Sequence, residues 1–111
     1  MIEVGEGKYK VFLRSYDVGQ DKLLIITGGE EEHIGAASLK EKDLPISTLK
    51  KKGHKEHHIS EAIAQRIYDC IERDLLVVCG IHIDNATAKE IDILVDNANS
   101  CVDLFLNKEI R

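Results

Sequence analysis

The sequence is poor in aromatic residues and in proline. Its 111 residues include two Phe, three Tyr, no Trp and a single proline, Pro45. The core must therefore be built mainly from aliphatic side chains, and most of the chain is free to form regular structure. Hydrophobic residues make up 43% of the chain and charged residues 32%, as in an ordinary globular protein. The length predicts a single domain over residues 1–111.

The sequence lacks the features that are typical of several classes of protein. The net charge of −5 argues against a general nucleic-acid binder, which needs a clustered basic face. No apolar run approaches the roughly 18 residues of a membrane span, and the first residues do not resemble a signal peptide. The odd number of cysteines and the absence of a CxxC pair predict buried free thiols and a cytoplasmic protein. These thiols belong to Cys70, Cys79 and Cys101.

Hydrophobic periodicity predicts four strands and two helices. The predicted strands cover residues 8–16, 22–27, 34–39 and 74–81, and the predicted helices cover residues 54–73 and 87–105. Thr87 and Glu90 form a predicted capping box at the start of the second helix. The order β-β-β-α-β-α predicts an α+β fold with a mixed sheet of about four strands and both helices on one face. We expect a meander of the first three strands, with the fourth strand parallel to one of them.

The other sheet face also needs a cover. The strands at residues 22–27 and 75–81 are apolar on both sides, so both of their faces should be buried. A second copy of the chain is an economical cover, and the sequence therefore predicts a homo-oligomer.

Three polar motifs lie at the ends of predicted elements. They are TGGEEEHIG at residues 27–35, GHKEHHISE at residues 53–61 and GIHIDNATAKEI at residues 80–91. In the first motif, the paired glycines allow a turn with positive φ and close approach of a ligand. A simple hairpin turn would explain the same residues. No Lys-Ser/Thr helix follows, so the motif is not a nucleotide-binding P-loop.

The second and third motifs each have a binding and a structural interpretation. His54 and His58, four residues apart, would share a helix face and could hold a metal, although the HExxH pattern is absent. Alternatively, the helix start and Lys55 could bind an anion, or the histidines could be plain surface residues. His82 and Asn85 follow a strand and precede a helix, where open α/β sheets place ligands. They could equally serve only to cap or turn the chain.

A lysine-rich segment covers residues 40–55. Such runs are usually solvated, but this one could also attract an acidic partner or an anionic ligand. No Ser/His/Asp triad is present, and no cysteine lies beside a histidine in a polar setting.

The three motifs, taken together and in this order, resemble the prenylated-flavin chaperone LpdD-like family. This family includes a small accessory subunit of gallate and related hydroxybenzoate decarboxylases. The resemblance runs from about Leu23 to Ile91, and the C-terminal helix matches only in pattern. It implies a non-catalytic carrier that binds prenylated FMN, or FMN, and hands it to a UbiD-type aromatic-acid decarboxylase.

The resemblance also implies site residues. Those assigned to cofactor binding are Gly28, Gly29, His33, Gly35, His54, Lys55, Arg66, His82 and Asn85. Ser60, Glu61, Gly80 and Thr87 match the same motifs. A divalent metal could bridge the flavin phosphate to His33, His54 and His82, with Glu61 as a further ligand. His57 and His58 depart from the family pattern, which favours this trio over the His54–His58 pair.

Two other functions stay open at this point. One is a metal-dependent enzyme on a phosphorylated or aromatic-acid substrate, with Glu61 as the base. The other is a ligand-free accessory subunit that docks on a decarboxylase through the lysine-rich segment.

Overall fold

The computed structural model describes residues 1–109 as an α+β fold with a six-stranded mixed sheet. The strands are β1 (Ile2–Val4), β2 (Val11–Val18), β3 (Asp21–Gly29), β4 (Glu31–Lys40), β5 (Ser47–Lys50) and β6 (Leu75–His82). The helices are α1 (His57–Ile71) and α2 (Ala88–Glu109), and a single 3-10 turn covers Gly7–Tyr9. In residues 1–109, neither helix combines the length and the apolar character that a membrane crossing requires.

The sheet has two more strands than the sequence predicts. Its order is β1-β2-β3-β6-β4-β5, so the two unpredicted strands, β1 and β5, form its edges. They have three and four residues. This is too short for an alternating pattern to be recognised, and β5 lies in a segment that was expected to be irregular.

The predicted meander is wrong because β6 lies between β3 and β4. Gly29 and Glu31 both pair with His82, so residues 29–31 carry the chain from one side of β6 to the other. The expected parallel pairing is confirmed: β3 and β6 run in parallel, whereas β4 and β6 are antiparallel. The apolar β6 is therefore paired on both edges, as its composition favours.

Both helices pack on one face of the sheet, as predicted. Alternate residues of β2, β3 and β6 join residues of α1 and α2 in one hydrophobic core cluster. The side chains buried from α2 include Leu94, Ala98, Val102 and Phe105, which form an apolar stripe at helical spacing. Ile91, at the start of that stripe, is instead 48% exposed.

The cysteine prediction holds for two residues and fails for the third. Cys79 and Cys101 are buried free thiols, and burial raises their pKa to about 12 and about 11. Both therefore remain protonated and unreactive at neutral pH. Cys70 is exposed, because the buried face of α1 is centred on Ser60, Ile63, Ala64 and Ile67.

The second face of the sheet, which we call the open face, carries rows of apolar side chains. One row across four strands consists of Tyr16, Leu23, Leu76 and Leu39. A second row consists of Ile25, Val78, Ala37 and Leu49. Tyr16 is 50% exposed and Leu39 is 38% exposed, so this face is not covered by the helices.

Candidate functional site

The histidines of the three motifs meet at the end of the sheet where β6 stops. His33 comes from β4, His54 precedes α1, and His82 is the last residue of β6. The ring centroids of His33 and His54 are 4.9 Å apart, and those of His33 and His82 are 5.8 Å apart. We call these three residues the imidazole cluster. The insertion of β6 beside β4 is what brings them together.

Glu56, which the sequence does not single out, is part of this site. Its Oε1 lies 3.1 Å from Nε2 of His33, and its Oε2 lies 3.5 Å from Nδ1 of His54. The residue is 9% exposed. Although Glu56 occupies the N-cap position of α1, its side chain makes no capping hydrogen bond and points to the histidines instead.

Glu61 has a different partner. Its carboxylate accepts a 2.6 Å hydrogen bond from Thr48. Ser38 joins Thr48 at 2.9 Å and Ser60 at 2.7 Å, so this chain of hydroxyl groups ties β4 and β5 to α1. Within residues 1–109, the group with metal-compatible spacing is His33, His54 and Glu56. The carboxylate in this group is therefore Glu56 and not Glu61, which the sequence suggested. His82 is not part of the group.

Arg66 lies away from the imidazole cluster, between the two helices. Its guanidinium donates a 3.4 Å hydrogen bond to the Asn99 carbonyl and pairs with the Asp103 carboxylate. These contacts give Arg66 a role in joining α1 to α2.

Two glycines make room for the residues of the site. A β-carbon at position 35 would overlap the Glu56 carboxylate, and one at position 80 would overlap the backbone carbonyl of His33. Only glycine at these two positions allows Glu56 and the His33 backbone to approach so closely. The glycines therefore position two members of the site.

The paired glycines of the first motif also face the protein itself. A β-carbon on Gly28 would overlap the carbonyl of Lys10, and one on Gly29 would overlap the carbonyl of His82. Gly29 has the positive φ expected of a turn, 81°. Contact of their backbone with a ligand stays a prediction.

The loop after β6 fits the structural interpretation of its residues. Asn85 is exposed and adopts a φ of 51°, which shapes the turn before α2. The predicted capping box is confirmed, because Thr87 and Glu90 exchange side-chain to backbone hydrogen bonds of 3.1 Å in both directions. His82 Nε2 lies 2.7 Å from Asp84 Oδ1, and this hydrogen bond raises the pKa of His82 despite some burial.

His54 and His58 do not share a helix face, because α1 begins only at His57. His58 is exposed, and its ring centroid lies 3.9 Å from that of His57. His54 contacts His33 and Glu56 instead.

An apolar pocket of about 200 Å³ adjoins the imidazole cluster. It lies between the start of α1, the end of β6 and the start of α2. Its apolar lining consists of Ile59, Ile81, Ile83, Ala86, Ile91, Leu94 and Val95. Lys55, Glu56 and His82 form its polar rim. The exposed position of Ile91 leaves the pocket open on the α2 side.

Comparison with known proteins gives two matches. The family model described as a prenylated flavin chaperone LpdD-like domain matches residues 5–109. "Protein LpdD" of Lactiplantibacillus plantarum (strain ATCC BAA-793 / NCIMB 8826 / WCFS1) is 30% identical over 79 residues. That alignment covers 67% of this chain and 58% of the relative, so the match spans less than two thirds of the relative's length.

Proposed function

Since the chain belongs to the prenylated flavin chaperone LpdD-like family, we propose that it is a non-catalytic carrier of prenylated FMN. It delivers this cofactor to a UbiD-type aromatic-acid decarboxylase. The observation that carries the proposal is the apolar pocket beside the imidazole cluster. A flavin nucleotide needs such a pair of surfaces, because it joins a large, mostly apolar ring system to a dianionic phosphate.

The apolar pocket takes part of the ring system. Its volume of about 200 Å³ lies below the roughly 300 Å³ at which sites for drug-sized ligands begin. The pocket therefore encloses one edge of the cofactor, such as the prenyl-derived ring, against aliphatic side chains. The rest of the flavin extends past the polar rim.

The phosphate lies on the polar rim. Lys55 is exposed there, two residues before α1 begins. The dipole of α1 favours an anion at this place, near the N-terminal end of the helix. His54 adds a further donor, and charge-assisted hydrogen bonds to a phosphate are among the stronger contacts that a surface site can make.

The lining of the pocket favours a carrier that releases its cargo. Within residues 1–109, no Phe or Tyr lines the pocket, so the flavin ring gains little stacking energy. A ring held by aliphatic contacts and left open beside Ile91 can pass to a decarboxylase that binds it more tightly.

A second copy of this chain covers the open face. The row that contains Tyr16, Leu39 and Leu76, together with the second row beside it, forms an apolar surface of a kind that folded proteins rarely leave in water. The homo-oligomer and a cytoplasmic location are part of the proposal.

Anaerobic titration with reduced prenylated FMN, followed by absorbance, tests the proposal. We expect saturable binding to the wild-type chain. Ile91→Glu places a charge in the lining of the pocket and should weaken binding at least tenfold. Leu104→Glu is a matched control, because Leu104 is 49% exposed on the same helix, compared with 48% for Ile91, and does not line the pocket.

Two results would count against the proposal. One is the absence of binding to the wild-type chain, and the other is equal weakening by the two variants. Turnover of an aromatic acid by the isolated chain would favour the metal-dependent enzyme instead.

A further inference from the structure

Glu56 is a buried carboxylate whose surroundings do not satisfy it. The residue is 9% exposed and its side chain is 11% exposed. Within residues 1–109, its Oε2 has no hydrogen-bond partner, because the 3.5 Å approach of His54 Nδ1 is not a hydrogen bond. Buried carboxylate oxygens without a partner are costly, so such an atom points to a cationic ligand.

The spacing of the nearby donor atoms suits one metal ion. The ligand atoms of His33, His54 and Glu56 all lie within 4.8 Å of one another. Nε2 of His33 lies 3.1 Å from Oε1 of Glu56, and Nδ1 of His54 lies 3.5 Å from Oε2 of the same carboxylate. Bonds of about 2.0–2.1 Å in a tetrahedral zinc site place neighbouring donor atoms about 3.3 Å apart. Small side-chain movements would therefore bring all three donors onto one ion.

The fold holds two of the three donors in this arrangement, and the third, His54, lies in the segment that leads into α1. His33 comes from β4, whose register is shifted between Glu32 and Ala36, and Glu56 comes from the N-cap of α1. Gly35 leaves the space that the Glu56 carboxylate fills. These elements are packed against each other through the core and are not free loops, which favours a preformed site.

We propose that His33, His54 and Glu56 bind one divalent transition-metal cation of the zinc type. Two imidazoles and one carboxylate are the donors that Zn²⁺ accepts, whereas Mg²⁺ and Ca²⁺ prefer sites rich in oxygen. Three protein ligands leave a fourth position open for water or an anion. The site does not depend on the flavin role, since no flavin atom takes part in it.

Isothermal titration of the chelator-treated full chain with ZnCl₂, without flavin, tests the site. We expect one Zn²⁺ per chain and no comparable binding of MgCl₂. Glu56→Gln keeps the shape of the side chain but removes its charge, and it should weaken zinc binding more than tenfold. Loss of even an outer-shell partner of a metal ligand typically costs about 10–100-fold in affinity. His58→Ala, at an exposed histidine outside the group, should change affinity less than twofold.

Three results would overturn the proposal. They are no saturable zinc binding by the wild type, unchanged affinity in Glu56→Gln, and loss of binding in His58→Ala. If Glu56→Gln does not fold, the visible spectrum of the wild-type chain with Co²⁺ tests whether the site exists. Intense bands of four-coordinate Co²⁺ support the site, and the weak bands of six-coordinate Co²⁺ contradict it.

Discussion

At the scale of single residues, Gly35 and Glu56 act as a pair. The Glu56 carboxylate fills the space that a side chain at position 35 would need. The chemistry of the site thus depends on a residue that contributes no side chain. His33 and His54 contact the same carboxylate from two directions, so any displacement of Glu56 changes all three donors together.

Gly35→Ala should lower the free energy of unfolding by about 1–3 kcal/mol, the usual cost of overpacking. It should also weaken zinc binding, because Glu56 must move. Urea denaturation measures the first effect. In a Glu56→Ala background the clash is gone, so the same substitution should cost much less. An equal cost in both backgrounds would show that the two residues do not compete for this space.

Some site residues can be predicted from the sequence, and Glu56 cannot. His33, His54 and His82 stand in three motifs, and the structure brings their rings together. Glu56 lies one residue before α1, where a glutamate usually faces solvent. Glu56 and His33 are 23 residues apart along the chain, and their contact depends on the register shift in β4. No sequence pattern indicates this shift.

At the scale of elements, the start of α2 is fixed by charge as well as by capping. Lys8 Nζ lies 2.8 Å from Glu90 Oε2. The hydrogen bond from Lys8, then that from the Thr87 backbone, holds the pKa of Glu90 at about 2, below its ordinary value of 4.5. A lowered carboxyl pKa stabilises the fold above about pH 4.5, and this stabilisation is lost as the pH falls towards 2.

Glu90→Gln keeps an acceptor for the Thr87 N–H but removes the charge. We therefore expect Glu90→Gln to be less stable than the wild type at pH 7, with the difference shrinking as the pH falls to 3. Urea midpoints at several pH values measure this. The same substitution at the exposed Glu6 serves as the control. A difference that stays constant across this range would contradict the charge-based account.

Long elements can be predicted from the sequence, whereas short ones cannot. Both helices and four strands follow from periodicity, since each presents an apolar pattern over six or more residues. The edge strands β1 and β5 form because neighbouring strands offer unpaired backbone groups, which is a property of the sheet rather than of their own residues.

At the scale of the whole molecule, the open face predicts self-association. Tyr16→Lys with Leu39→Lys places two charges in one apolar row and should convert the oligomer to a monomer. Light scattering coupled to size exclusion measures the mass. Leu44→Lys is the control, because Leu44 is 50% exposed but lies outside the sheet. A wild-type chain with the mass of one copy would contradict this proposal.

Strand order is the part of the architecture that the sequence did not reveal. Residues 22–27 and 34–39 lie close in the chain, and local pairing is the usual outcome. The chain instead places β6 between β3 and β4, because β6 is apolar on both faces and gains most from a central position. This insertion also places His82 beside His33, so the site depends on a long-range feature.

The central claim is that the apolar pocket and the imidazole cluster bind prenylated FMN together. Amide chemical-shift mapping of the ¹⁵N-labelled chain, titrated anaerobically with reduced prenylated FMN, tests it most directly. We predict saturable shifts concentrated at residues 54–59 and 81–91. No shifts, or shifts concentrated on the open face at residues 14–18 and 37–39, would contradict the account.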